Sequence, residues 1–151
     1  MALPEVPVVE KVVAYIVRAG QLAVFIHLDD SDPVFESGLQ VPAGTIGPGE
    51  TSEQAVLREA HEESGLTGLN VVASLGFADY DVRPGKDQIH RRHFFQISVD
   101  GPVEGTWDHV ETDGGTGEPR PFRFSWIPLS QGHALVAGFG AMVSRVDESA
   151  S

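Results

Sequence analysis

Apolar positions run almost unbroken over residues 8–17 and again over 21–28, with Arg18, Ala19 and Gly20 between them. Two valine- and isoleucine-rich runs joined by a short glycine-bearing link predict an antiparallel hairpin. Residues 29–38, DDSDPVFESG, are polar and include Pro33, which predicts a turn; the acidic DDSD lacks the ligand spacing of an EF-hand calcium loop. Residues 39–41 form a short strand, after which Pro42, Gly44, Gly47, Pro48 and Gly49 keep the chain in a loop. A helix follows. Thr51 or Ser52 caps it, Thr51 and Gln54 have the form of a capping box, and Gly65 closes it in the left-handed conformation that glycine adopts cheaply. Val56, Leu57 and Ala60 supply its apolar face, and Glu59, Glu62 and Glu63 fall within a sector of roughly 100° beside it.

Downstream, residues 70–80 predict one or two strands broken near Gly76, and 81–88 a loop carrying Arg83 and Lys86. Residues 89–99, IHRRHFFQISV, predict a long strand in which alternation sends His90 and Arg92 to one face and Arg91 and His93 to the other. Residues 101–121 are the least regular part and predict a long loop, of the kind that is often functional. Phe122, Phe124 and Trp126 then share one side of a strand that Pro128 ends. From Ser130 to about Val146, the stripe Leu135, Phe139, Met142, Val143 and Val146 predicts a last helix. Gly132, Gly138 and Gly140 oppose it by roughly 1 kcal/mol each relative to alanine. Residues 147–151 are expected to fray. No repeat or linker interrupts the pattern, so 1–151 reads as one domain with an ordered core over about 8–146.

Composition narrows the function. Formal net charge is −12, from 22 acidic and 10 basic residues, which argues against a nucleic acid polymer as partner. A small phosphorylated molecule still fits if bound cations reverse the sign locally. No apolar run approaches the roughly 20 residues needed to span a membrane, and the amino terminus MALPEVPVVEK lacks the basic start and apolar core of a signal peptide. With no cysteine there is neither disulfide nor thiolate chemistry. The expected location is cytoplasmic.

The helix carboxylates admit two readings on spacing alone. Like charges three and four residues apart destabilise a helix by about 0.2–0.5 kcal/mol per pair. Either they form a solvated acidic face with Arg58 paired to Glu62, or they hold a hard divalent cation, which oxygen ligands suit. Within GTIGPGETSEQAVLREAHEESGL, however, Gly44, Glu50, Arg58, Glu59, Ala60, Glu62, Glu63, Gly65 and Leu66 stand at the spacing that resembles the signature box of the Nudix hydrolases. The resemblance implies an α/β (α+β) fold, an α/β/α sandwich around a mixed sheet in which the box forms a loop, helix and loop. It implies a pyrophosphohydrolase that needs Mg²⁺ or Mn²⁺ and cleaves the diphosphate linkage of a nucleoside diphosphate derivative.

Carried over residue by residue, the resemblance makes Glu59 and Glu63 the principal metal ligands, with Glu62 beside them and a backbone carbonyl at Ala43 or Gly44. Glu50 and Arg58 resemble the family's orienting ion pair. The base is Glu59, Glu62 or a carboxylate of the 101–121 segment. That segment is also where a further metal ligand is expected, Glu111 first and Glu118 second. For substrate, the candidates are Arg91 or Arg92 on phosphate, with Arg83 and Lys86 as further cations, and Trp107 stacked on a nucleobase; His109 is a second candidate base. A non-catalytic nucleotide sensor on the same fold is the alternative, though it has no need of every box glutamate; an acidic interaction domain survives only if no divalent cation binds. ADP-ribose, a dinucleoside polyphosphate and a nucleoside triphosphate all stay open, because Tyr80 and Pro84 fall just outside the distances at which some subgroups place a second motif. Family members are often dimers, so a homodimer is the expected assembly.

Overall fold

In the computed structural model, residues 6–28, 38–112 and 119–150 are described. The turn expected at 29–38 lies outside them except for Gly38, and Asp113 and Glu118 lie outside them too. The organising strand is β1 (Val8–Arg18), whose residues Val12 to Val17 are at most 1 % exposed. A strand buried on both faces needs no polar alternation, which explains the unbroken apolar run. It turns through Ala19 and Gly20, both at positive φ, into β2 (Gln21–His27). Only Val17↔Leu22 and Arg18↔Gln21 pair across this hairpin, and the two strands then diverge to different neighbours.

On its own side β1 pairs antiparallel with the short β3 (Ala43–Thr45) and parallel with β5 (Ile89–Val99). β4 (Leu69–Asp81) lies antiparallel to β5, with register shifts at Val71/Ala73 and Ser74/Gly76 that match the expected break near Gly76. On the other side β2 pairs antiparallel with β7 (Arg120–Pro128), which pairs with β6 (Thr106–Glu111). The result is a mixed seven-stranded sheet of order β4-β5-β1-β2-β7-β6, with β3 on β1. The expected loop at 101–121 thus contains a strand. The segment TWDHVE alternates, turning Trp107, His109 and Glu111 inward and Thr106, Asp108 and Val110 outward.

The single α-helix among the described residues, α1 (Ser52–Ser64), covers one face of the sheet, where Ala55, Val56 and Ala60 meet Val12, Ala14, Ile16, Phe95 and Ile97. Val13, Tyr15, Val17, Leu75 and Phe94 point to the other face. There the C-terminal helix expected from Ser130 to Val146 does not form. The segment instead makes 3-10 turns at Leu129–Ala134 and Val143–Arg145, with a third at Glu148–Ala150. Ala137 and Gly138 adopt φ of 54° and 75°, which breaks any helix between them. A Cβ on Gly140 would come within 2.8 Å of the Gly132 carbonyl oxygen, so the glycines serve close backbone crossing.

The apolar stripe still reaches the core through these turns, with Leu135 and Phe139 buried and Met142, Val143 and Val146 packed beside them. The Tyr15 hydroxyl donates to the Phe139 carbonyl and accepts from the Met142 N–H. The Gln96 amide makes two hydrogen bonds to the Asp147 backbone, at 2.8 and 2.9 Å, which ties down the start of the tail that was expected to fray. Among the described residues no helix is long and apolar enough to cross a membrane.

Candidate active site

The helix α1 is fixed at both ends. Gln54 N–H donates to Thr51 Oγ1 at 3.1 Å and Thr51 N–H to Gln54 Oε1 at 2.9 Å, so the capping box is closed. At the other end Gly65, at φ 75°, donates its N–H to the His61 carbonyl. Between these caps the helix sets its carboxylates against β3. Ala43 N–H donates to Glu63 Oε2 at 3.1 Å. A Cβ on Gly44 would lie 2.0 Å from Glu59 Cδ, so only glycine leaves room for that carboxylate.

Arg58 is the hub of the box. Its Nε and Nη2 bond both oxygens of Glu50 at 2.7 and 2.9 Å, its Nη1 reaches Glu59 at 2.8 Å and Glu62 at 3.3 Å, and its Nη2 also donates to the Thr45 carbonyl at 3.1 Å. Glu50 accepts a further bond from Gly47 N–H at 2.8 Å. The Arg58 hydrogen bonds, with that backbone donor, hold the Glu50 carboxyl down at about 2. The expected orienting pair and the expected Arg58–Glu62 contact therefore coexist in one network.

The third carboxylate comes from outside the helix. Oxygens of Glu59, Glu63 and Glu111 all lie within 4.8 Å of one another, with Glu63 and Glu111 buried. β6 delivers Glu111 by docking along the end of α1. Its indole Trp107 donates Nε1–H to the Ser64 carbonyl at 2.8 Å, and His109 Nε2 meets the Glu62 carbonyl at 2.9 Å. Burial, and then the Glu111 and Glu59 charges, push the Glu63 carboxyl well above its ordinary range. Burial likewise raises Glu59 against the opposing pull of Arg58. Three carboxylates held this way have a deficit of positive charge that a hard divalent cation would satisfy, and all the donors are oxygen.

These groups line a cavity of about 480 Å³ between the diverging halves of the sheet. α1 contributes Arg58, Glu59, Glu62 and Glu63, and β3 contributes Ala43, Gly44 and Thr45. The β2 and β7 side is aromatic, with Phe25, His27 and Phe122, whose Phe25–Phe122 and His27–Phe122 centroids are 4.6 and 4.9 Å apart. The β1 and β5 side is basic, with Lys11, His90 and Arg92 joined by Lys86 from the preceding loop; Arg120 enters from β7.

Several expected substrate contacts are corrected by this arrangement. Of the two arginines, Arg92 lines the cavity, whereas Arg91 lies on the opposite face in a two-bond pair with Asp79 at 2.9 and 3.1 Å, over the ring of Phe77. Arg83 is turned onto Asp81 at 2.9 and 2.6 Å and does not line the cavity. Trp107 does not line the cavity; its ring is stacked on Phe124 at 5.0 Å and its N–H is spent on α1. His109 packs over Gly65, with Nε2 against the Glu62 carbonyl, and does not line the cavity. Lys11 and Arg120 were missed; a lysine within a strand that is otherwise mostly apolar, beside Glu10, was the available signal for the first.

The family profile described as NUDIX domain matches residues 11–140. The MutT protein from Methanosarcina mazei Go1 superposes with a TM-score of 0.67 at 20% identity, covering 95% of each chain. The Ap4A hydrolase of C. elegans gives 0.58 at 18% identity, over 91% of this chain and 95% of that one. A bifunctional NMN adenylyltransferase/ADP ribose pyrophosphatase from Francisella tularensis gives 0.55 at 14% identity, over 99% of this chain and 43% of that one. A search of the curated proteins returned no match. A mixed sheet carrying one carboxylate-bearing helix at a cavity is the Nudix architecture. The chain belongs to the Nudix family and is a Nudix hydrolase, an enzyme acting on pyrophosphate bonds.

Proposed function

We propose that the protein is a divalent-metal-dependent pyrophosphohydrolase acting on a nucleoside diphosphate derivative, with Mg²⁺ or Mn²⁺ held by Glu59, Glu63 and Glu111. The observation that carries this reading is the convergence of those three carboxylates within 4.8 Å at the wall of the cavity. Gly44 supports it, since its missing side chain leaves the Glu59 carboxylate its place beside the β3 backbone. A bound divalent cation would supply charge neutralisation of the diphosphate and of the charge that develops in its transition state.

The chain's own residues do the rest. Arg58 holds Glu59 and Glu62 in fixed directions, and Glu50 holds Arg58. Glu62 lines the cavity outside the three-carboxylate cluster, which leaves it to take the proton from a water attacking phosphorus. As the new phosphorus–oxygen bond forms, the bridging phosphorus–oxygen bond breaks and the leaving phosphate departs with the bonding electrons. Arg92 and its basic neighbours face the phosphates, and the Phe25, His27 and Phe122 side offers apolar surface to the organic part.

The test is product release from a panel of nucleoside triphosphates, dinucleoside polyphosphates and diphosphate sugars, with and without Mg²⁺ or Mn²⁺. Metal-dependent turnover of at least one member, lost in Glu63→Gln, is expected. Saturable binding without turnover of any member would turn the account to a nucleotide sensor.

A further inference from the structure

Lys11, His90 and Arg92 share one face of the parallel pair β1–β5. Lys11 sits directly opposite Arg92, and His90, two residues before Arg92 on β5, lies on the same face. Like charges directly opposite in a sheet are unfavourable, and Lys86 adds a third cation to the same lining. Burial, then Lys11, Arg92 and Lys86, holds His90 down at about 4. Burial, then Lys86 and Arg92, also lowers Lys11, against the opposing pull of Glu59 and Glu63. In a chain with only 10 basic residues against 22 acidic ones, three converge at one place.

Glu59 and Glu63 act on Lys11 through space, but among the described residues neither closes an ion pair on it. Arg58 already bonds Glu50, Glu59 and Glu62, and Lys11 gives its hydrogen bond to the Thr45 hydroxyl at 2.7 Å. Among the described residues neither Lys11 nor Lys86 makes an ion pair, whereas Arg83, Arg91 and Arg123 outside the cavity are each closed onto an aspartate. Arg92 is held as a rigid charge, its guanidinium carbon 4.3 Å from the Tyr80 ring centroid and 4.1 Å from that of Phe139, with Nη1 donating to the Ala137 carbonyl.

We propose that Lys11, Lys86 and Arg92, with His90, form an anion subsite that takes a terminal phosphate of the substrate beyond the linkage engaged at Glu59, Glu63 and Glu111. The preferred substrates are therefore nucleotides whose phosphate chain ends in a free, anhydride-linked terminal phosphate, the nucleoside triphosphate class, and not diphosphates capped at both ends by organic groups. This rests on the hydrolase reading above. A terminal phosphate brings up to one more negative charge than a bridging phosphate, with three exposed oxygens for several donors at once. Point-charge lysines and a fixed guanidinium suit such a group.

The experiment compares kcat/KM for nucleoside triphosphates and for ADP-ribose and UDP-glucose in the wild type, Lys11→Gln and Lys86→Gln, all with Mg²⁺. Metal-free calorimetric titration of each protein with inorganic tripolyphosphate runs alongside. The wild type is expected to favour triphosphates, and each variant to lose about tenfold of that preference through KM, the size of one charge-assisted hydrogen bond. Tripolyphosphate binding should weaken by a similar factor. Lys86 is exposed, so Lys86→Gln keeps the test open if Lys11→Gln fails to fold. A wild type that prefers the capped diphosphates, or variants that keep the wild-type preference, would overturn the subsite and leave the hydrolase reading standing. Absence of metal-dependent turnover on every substrate would overturn the hydrolase reading; the titration then decides the subsite, and equal binding by wild type and Lys86→Gln overturns it.

Discussion

Glu59 is positioned from two sides, by Arg58 at 2.8 Å and by the absence of a side chain at Gly44. Gly44→Ala pushes a methyl group into that carboxylate. Displacing a catalytic group by about 1 Å can lower turnover by about 100-fold, so a loss of that order in kcat is expected, with a thermal melt to show that the fold persists. Glu50→Gln removes the charge that closes Arg58 and should weaken metal affinity or activity by about 10–100-fold, read from the Mg²⁺ dependence of the rate. The mutual placement of Glu50, Arg58, Glu59, Glu62 and Glu63 was legible in the sequence because they sit on one loop and one helix, where spacing fixes mutual position. Lys11 was not. Its neighbours Thr45 and Arg92 arrive through strand pairing 34 and 81 positions away in the chain, which no local pattern encodes.

At the scale of elements, two segments depart from their sequence patterns for opposite reasons. β6 was hidden because glycines crowd the segment before and after it, yet TWDHVE alternates, and its inward residues dock on α1 and carry Glu111 to the cluster. Trp107→Phe keeps the ring against Phe124 but loses the bond to Ser64. It should lower stability by about 1 kcal/mol in urea unfolding, the worth of one hydrogen bond. In the C-terminal segment the pattern pointed to a helix that does not exist. A stripe at helical spacing says which residues seek the core, and turns satisfy that demand equally when positive φ at Ala137 and Gly138 forbids the helix. Gly138→Ala meets the strained φ and also Tyr80 Cδ1 at 2.8 Å from the new Cβ, so a loss of more than about 1 kcal/mol is expected by the same measurement.

Across the whole molecule, β1 supplies both faces of the core, Val12, Ala14 and Ile16 to α1 and Val13, Tyr15 and Val17 to the C-terminal turns. The cavity opens where β1 and β2 part after two paired rungs, so binding surface and core share one strand pair. Its basic lining makes stability depend on pH. His90 is depressed from 6.5 to about 4 by burial and by Lys11 on β1, Arg92 on β5 and Lys86 in the intervening loop. Between those values the unfolded chain binds a proton that the folded one refuses, so this group withdraws stability as pH falls from 6.5 towards 4. His90→Gln should lose less stability than the wild type between pH 7 and 4.5, measured by denaturant unfolding at both.

The proposed metal centre turns on Glu111, the one carboxylate of the cluster that the box does not contain. The direct measurement is the rate of product formation against Mg²⁺ concentration, for wild type and Glu111→Gln, on whichever panel substrate the wild type turns over fastest. The structure predicts that the variant folds and either needs at least about tenfold more Mg²⁺ for half-maximal rate or falls by a comparable factor in kcat. A saturation curve and kcat indistinguishable from the wild type would contradict a metal centre built from Glu59, Glu63 and Glu111.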